Sequence, residues 1–232
     1  MAKRVFFKIK DNRLIEEEIE FKYFNGFSIT QKQKSIISFH NEILKSNNGN
    51  VIEISSKSLN DLGVKLSAFN LKVNYNGKKT SLENIFQASK VFEYGGPYTD
   101  LLDVSPVEAK KDERIRNSGK LVAFELSGNK YTNYPMTAFY DWIYCCSLLK
   151  NPILAKELVE YDIFTDIEFN NEKSINCQAR SAGIFVLLYK LDKLEILKNF
   201  DEFKKYVYDQ LYFDNLSFNM NNLFSYRDCF YK

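Results

Sequence analysis

The segment "SINCQARSAGIFVLLYKL", residues 174–191, sets the strongest limit on how this chain folds. Its second half is apolar on every side of a 3.6-residue repeat, and a helix of that kind has to be buried. The rest of the 232-residue chain must therefore wrap around it. Its first turns are polar: Gln178, Arg180 and Ser181 precede the apolar run, and a buried arginine needs a counter-charge. Asp162, Asp166 and Glu168 just upstream are one choice of partner, and a bound phosphate is the other.

Around that helix the pattern is mixed, with helix predominating. "RVFFKIK" and "EEIEFKYF" read as strands, "QKQKSIISFHNEILKS" as a helix, and "VIEISSKS" and "KVNYNGKKT" as strands, the last with an Asn-Gly turn. "KLVAFEL" is a further strand, while "MTAFYDWIYCCSLLK", "PILAKELVEY" and "FDEFKKYVYDQLYF" read as helices. Ser105, Pro106 and Glu108 spell a capped helix start. The expected class is α+β, predominantly helical, with a small strand-rich N-terminal portion. Residues 1–65 read as an extension packed on a core domain of residues 66–232, and with no repeat, linker or composition break the two are expected to form one compact unit.

Several function classes drop out. A net charge of +2 is too mild for a nucleic-acid coat protein, so any nucleic-acid contact should be local. The N-terminus lacks the apolar core of a signal peptide and no run approaches the ~18 apolar residues of a membrane span, so a cytoplasmic chain with no membrane contact is expected. Cys145, Cys146, Cys177 and Cys229 include no C-x-x-C pair and read as core thiols. His40, the sole histidine, excludes a His-rich zinc site and is expected at a surface or capping position; no metal or cofactor is expected. Neither G-x-G-x-x-G nor G-x-x-x-x-G-K-[ST] occurs, so phosphates would have to meet helix N-termini, lysines or arginines.

The stretch "TSLENIFQASKVFE", residues 80–93, offers a candidate site. On a helix, Glu83, Gln87 and Lys90 lie within about 60° of one another. A bland reading is also open, because Thr80 and Glu83 form a T-x-x-E capping pattern and Lys90 suits a helix C-terminus. Gly95, Gly96 and Pro97 would end that helix. Ser55, Ser56, Lys57 and Ser58 at a strand end suit either turns or phosphate and ribose contacts. Tyr98, Tyr134, Tyr140 and Trp142 are available for stacking or for the core.

Taken together, "LSAFNLKVNYNGKKTSLENIFQASKVFE", "VSPVEAKKDERI" and "NCQARSAGIFVLL" resemble the NADAR domain, also called the YbiA-like fold, and "GFSITQKQKSI", "EISSKS", "GGPYTDLL" and "FTDIEFNNEKSINCQARS" resemble the NADAR antitoxins associated with DarT toxins. In the acidic region "FTDIEF" stands where the family more often has Asn-Asp and Trp-Gly. The resemblance implies an antitoxin that removes ADP-ribose from guanine bases of DNA, with ADP-ribosylated DNA as substrate and a DarT-type toxin as partner. It implies Glu83, Lys90 and Asp166 as catalytic, and Gln87, Ser55, Lys57, Ser58, Gly95, Gly96, Gln178, Arg180 and Ser181 as substrate-binding. Lys90 would act through a Schiff base, or the carboxylates would assist direct hydrolysis. Other readings are a non-catalytic module that binds ADP-ribosylated nucleic acid or the toxin, and an N-glycosidase acting on a small nucleotide.

Overall fold

The computed structural model describes residues 1–171 and 174–210. The chain opens with an antiparallel hairpin, β1 (Ala2–Lys10) and β2 (Arg13–Phe21), closed by Asp11 and Asn12, both at the positive φ of a tight hairpin turn. Helix α1 (Ile29–Leu44) follows, with Ser28 accepting from the Gln31 amide, then β3 (Val51–Glu53) and the short α2 (Asp61–Lys65). A second hairpin, β4 (Lys72–Tyr75) and β5 (Lys78–Ser81), turns at Asn76-Gly77 and leads into α3 (Leu82–Ala88).

The middle of the chain holds β6 (Lys90–Phe92), α4 (Pro106–Lys111), α5 (Arg114–Asn117), β7 (Leu121–Leu126) and β8 (Asn129–Thr132). Strands β6, β7 and β8 form one antiparallel sheet. The capping box of α4 is present as the sequence predicts, with Ser105 and Glu108 exchanging backbone and side-chain bonds. Helices α6 (Ala138–Leu149) and α7 (Pro152–Leu158), strand β9 (Ile163–Thr165), and helices α8 (Gln178–Lys190) and α9 (Phe200–Lys204) complete the order.

Strand β9 inserts between β1 and β3, antiparallel to the first and parallel to the second, giving the order β2-β1-β9-β3. Alternation along β1 sends Phe6 to a cluster under α1 with Phe21, Ile36, Phe39, Ile43 and Ile163. It sends Val5 and Phe7 to the larger core, which contains the buried faces of α3, α6 and α8. Helix α8 packs on α6 and on the β1–β9 face, and Ile184 to Leu188 are all buried, as its all-round apolarity requires.

Three expectations are corrected. The fold is mixed α/β more than predominantly helical, because β6, β8 and β9 lie in stretches that read as helix end or loop. The helix over "FDEFKKYVYDQLYF" is α-helical only through Lys204, continues in a π turn over Lys205–Gln210, and then leaves the described residues. His40 is neither capping nor on the open surface: its Nε2 lies 2.8 Å from Thr165 Oγ1, and burial pushes its pKa down to about 4. Cys145 and Cys177 are buried free thiols, Cys146 is partly buried, and Cys229 lies outside the described residues. Among the described residues no helix is long and apolar enough to cross a membrane.

One contact fixes the end of β3. A Cβ added at Gly63 in α2 would sit 1.9 Å from the backbone oxygen of Glu53 and 2.5 Å from Ser58 Oγ. Gly63→Ala is therefore expected to lower the unfolding free energy by at least about 2 kcal/mol, read from the midpoint of a urea titration.

Candidate active site

Strand β5 stays paired through its last residue, with Lys72 opposite Ser81 and Val73 opposite Thr80. Thr80 is thus committed to the ladder, and Ser81 caps α3 instead, its Oγ accepting from the Asn84 amide at 3.1 Å. The expected capping box between Thr80 and Glu83 does not form. Glu83 is one position too early for it, so its carboxylate is available elsewhere.

Glu83 is 5% exposed, and its Oε1 accepts from Gln87 Nε2 at 2.9 Å, one helical turn on. Gln87 Oε1 in turn accepts from Lys90 Nζ at 2.8 Å. The three polar residues meet as the spacing implies, but Lys90 is not on the helix. Ser89 ends α3 and its carbonyl accepts from the Glu125 amide at 2.7 Å, which draws the chain into the β6–β7 pairing with Lys90 opposite Phe124. The long lysine side chain folds back over α3, placing Nζ 4.5 Å from the centre of the Phe86 ring.

Gly95 and Gly96 belong to that turn of backbone rather than to a helix end. The Gly95 carbonyl accepts from the Phe92 amide at 2.7 Å. Gly96, at φ +83°, packs so closely that a Cβ would lie 2.3 Å from the Lys90 carbonyl oxygen. Gly96 therefore packs on the backbone of Lys90, while Gly95 holds Phe92, and a Cβ on it would lie 2.2 Å from the Tyr98 hydroxyl.

Burial pushes the Lys90 pKa down to about 8; Glu83 pulls it upward and the charge of Lys110 on α4 presses it further down. About a tenth of Lys90 is then neutral at pH 7, against less than about 0.1% for an ordinary lysine. Lys110 is exposed, with its Nζ 5.2 Å from the Phe69 ring. Sequence reading did not single it out, because only the fold brings α4 beside β6.

A second polar group joins this one through the backbone of a single residue, Ala68. The Ala68 carbonyl accepts from the Glu83 amide at 3.0 Å, and the Ala68 amide donates to Gln178 Oε1 at 2.5 Å. Gln178 Nε2 then donates to Asp166 Oδ2 at 3.0 Å, while the Glu168 amide donates to Asp166 Oδ1 at the same distance. Burial and the nearby Glu53 carboxylate push the Asp166 pKa up to about 7. Tyr140 of α6 lies in the field of both Glu83 and Asp166, its phenol pKa raised by burial and then by these carboxylates. Its ring meets Phe86 edge-on at 5.0 Å, so it serves the wall of the site rather than an open stacking surface.

Arg180 and Ser181 are placed elsewhere. Two residues from Gln178, Arg180 projects from the opposite side of α8. It pairs with the fully buried Asp141 of α6 at 3.1 Å and donates to Thr137 Oγ1 and the Tyr208 hydroxyl, each at 2.8 Å. Ser181 Oγ donates to the other Asp141 oxygen at 2.5 Å. Among the described residues the ion-pair partner of Arg180 is Asp141, not Asp162, Asp166 or Glu168. Asp162 pairs with Lys190 at 2.9 Å and Glu168 with Lys32 at 3.1 Å. Asp141 carried a faint signal as the one acid within the apolar "AFYDWIYCC".

The loop after β3 is built by hydroxyls acting as turn formers. Ser55 Oγ accepts from the Lys57 amide at 3.2 Å, and Ser58 Oγ from the Asn60 amide at 3.1 Å, both serines being buried. The parallel register puts Ser55 beside the Asp166 loop, with Lys57 half-buried next to it. Trp142 donates to the Leu197 carbonyl at 3.0 Å and packs with Tyr131, Phe139 and Phe200 in the core. Tyr98 hydrogen-bonds to Ser118 and lies under Arg114, and Tyr134 is exposed. Among the described residues no cluster of His, Cys, Asp and Glu could hold a metal ion.

The residues that carry the NADAR resemblance most specifically, Glu83, Gln87 and Lys90, thus form one hydrogen-bonded chain. A family model described as the DarT1-associated NADAR antitoxin matches residues 2–215, and the chain belongs to that family. A search of curated proteins gave no match.

The electrostatics of Lys90 are directly measurable. Carbamylation of Lys90 by cyanate, followed by peptide mass spectrometry against pH, should titrate near 8, about two units below surface lysines. Lys110→Met removes a repelling cation and should raise that value. Glu83→Gln removes an attracting anion and should lower it.

Proposed function

We propose that the protein is a glycohydrolase that removes ADP-ribose from guanine bases of DNA and so reverses modification by a DarT-type ADP-ribosyltransferase. The observation that carries this reading is Lys90: buried against Phe86, hydrogen-bonded through Gln87 to Glu83, with a pKa of about 8. A structural lysine has no need of a lowered pKa, whereas an amine nucleophile does.

The bond to be broken joins ribose C1″ to the exocyclic nitrogen of guanine, and such a glycosylamine can open to an imine. On opening, the ring oxygen leaves C1″ and takes the proton of the glycosylamine N–H. Neutral Lys90 Nζ adds to C1″ and passes one proton to the guanine nitrogen. A second proton, from Asp166, lets the bond from C1″ to that nitrogen break, which releases guanine with its amino group restored and leaves a protonated imine on Nζ, whose proton returns to Asp166 on hydrolysis. Water then adds to the C1″ imine on Nζ, and collapse returns the lysine amine and the ADP-ribose aldehyde, which recloses. Glu83, linked to Nζ through Gln87, suits proton exchange with the amine, and Asp166, with a pKa of about 7, is a carboxyl that gives and takes protons at neutral pH.

Lys57, Ser55 and Ser58 at the end of β3, and Lys110 at the end of α4, are proposed to meet the phosphates and riboses. Gly96 acts through the Lys90 backbone and Gly95 through the turn at Phe92, and Arg180 with Ser181 holds α8 to α6 through Asp141. Gln178 orients Asp166.

The experiment uses a single-stranded oligonucleotide ADP-ribosylated on one guanine, with release of ADP-ribose followed by chromatography. Wild-type protein should restore the guanine. Lys90→Ala should lower the rate at least about 1,000-fold, and Glu83→Gln about 100-fold with little change in melting temperature, since Glu83 does not cap α3. Persistence of the modification in a stable complex would instead mean a binding module, and full activity of Lys90→Ala would leave the carboxylates to act by direct hydrolysis.

A further inference from the structure

Beside Glu83 and Asp166 the site contains a third buried carboxylate, which the proposed reaction does not use. Glu53 ends β3, is 1% exposed, and lies opposite Thr165 in the parallel pairing with β9. Its Oε2 accepts from Thr165 Oγ1 at 2.6 Å and its Oε1 from the Ile167 amide at 2.8 Å. Asp166 sits between those two residues in the chain and takes the next amide, that of Glu168. Two carboxyls are thus held on consecutive backbone donors, in a part of the protein without water-like screening.

Among the described residues no ion pair reaches either carboxyl. Asp166 faces Glu53 from β3, Gln178 from α8, Tyr140 and Tyr144 from α6, Cys177 ahead of α8, and Glu168 on its own loop. Burial keeps the two phenols and the thiol neutral, and Glu168 is taken up by Lys32. His40 reaches the pair only through Thr165 and is neutral above a pKa of about 4. Arg180 is held by Asp141 on the far side of α8. Two adjacent buried carboxylates without an ion pair cannot both be ionised near neutral pH, so one proton stays with the pair.

We propose that Glu53 is a positioning residue for the reaction: fixed by Thr165 and Ile167, it keeps a proton on Asp166 so that Asp166 enters as a neutral acid able to protonate the departing guanine nitrogen. The donors divide the labour. Burial raises the Glu53 pKa too, but Glu53 receives three donors, from Thr165, Ile167 and Ser55, against two on Asp166, from Gln178 and Glu168, and it is Asp166 that faces the polar chain of Gln178 and Ala68 leading to Glu83. The proposal rests on the glycohydrolase reading for what the proton is used for, but not for the pairing itself.

Asp166 can be followed without activity, through the carboxyl carbon shift of protein labelled with 13C-aspartate. In the wild type its titration should lie near 7, and in Glu53→Gln it should fall by at least one unit. Glutamine keeps an acceptor for Ile167, and Thr165 Oγ1 has the Ile52 carbonyl at 3.4 Å as another acceptor. Over the same change, the loss of guanine release at rising pH should move to lower pH, because the active form is protonated Asp166. An unshifted Asp166 titration in folded Glu53→Gln overturns the proposal. The reciprocal variant Asp166→Asn gives a second test, since it must lower the Glu53 titration by the same amount; no change there overturns the pairing as well. A shifted titration in protein that releases no guanine would sink the glycohydrolase reading and leave the pairing standing.

Discussion

The peptide of Ala68 gives its carbonyl to the Glu83 amide and its amide to Gln178, and so ties the start of α3 to the start of α8. Helix α8 is itself fixed, because an all-apolar run is stable only when enclosed between α6 and the sheet. Everything polar in the site is therefore referred to a buried scaffold. Lys90, Gln87 and Glu83 lie on one side of the Ala68 peptide and Gln178 and Asp166 on the other. The side chains keep their places because each donor is matched to an acceptor along the chain.

Enclosure has an electrostatic consequence that runs in opposite directions for the two kinds of group. Removing water favours neutral forms, so the lysine pKa falls toward 8 while the Asp166 pKa rises toward 7. The two are brought within about one unit of each other, from reference values roughly six units apart. An amine and a carboxyl matched in this way can both change protonation state near neutral pH, which is what the proposed imine chemistry would ask of them.

The site was partly legible in the sequence, for reasons that individual residues make plain. Glu83 and Gln87 are four apart on a true helix, and the period alone groups them. Lys90 joined them for a different reason: the helix stops at Ala88, and it is the reach of the lysine side chain from β6 that restores the contact. The periodic reading could not see that stop, because it is imposed by pairing with β7, thirty residues on. The need of Arg180 for a counter-charge is legible from its place ahead of an apolar run, but Asp141 belongs to α6, and only helix packing brings it near. Glu53 looked like one polar residue in a strand; its meaning depends on β9 inserting beside β3, a pairing between residues more than a hundred positions apart.

The central claim is that Lys90 acts as a neutral amine that becomes covalently attached to the sugar. Sodium borohydride added during turnover of an oligonucleotide carrying ADP-ribosylated guanine would reduce such an imine to a stable secondary amine. Peptide mapping by mass spectrometry should then find ADP-ribose on Lys90, with no adduct in Lys90→Ala. Active protein that yields no adduct under these conditions, or carries it on another lysine, would contradict the account.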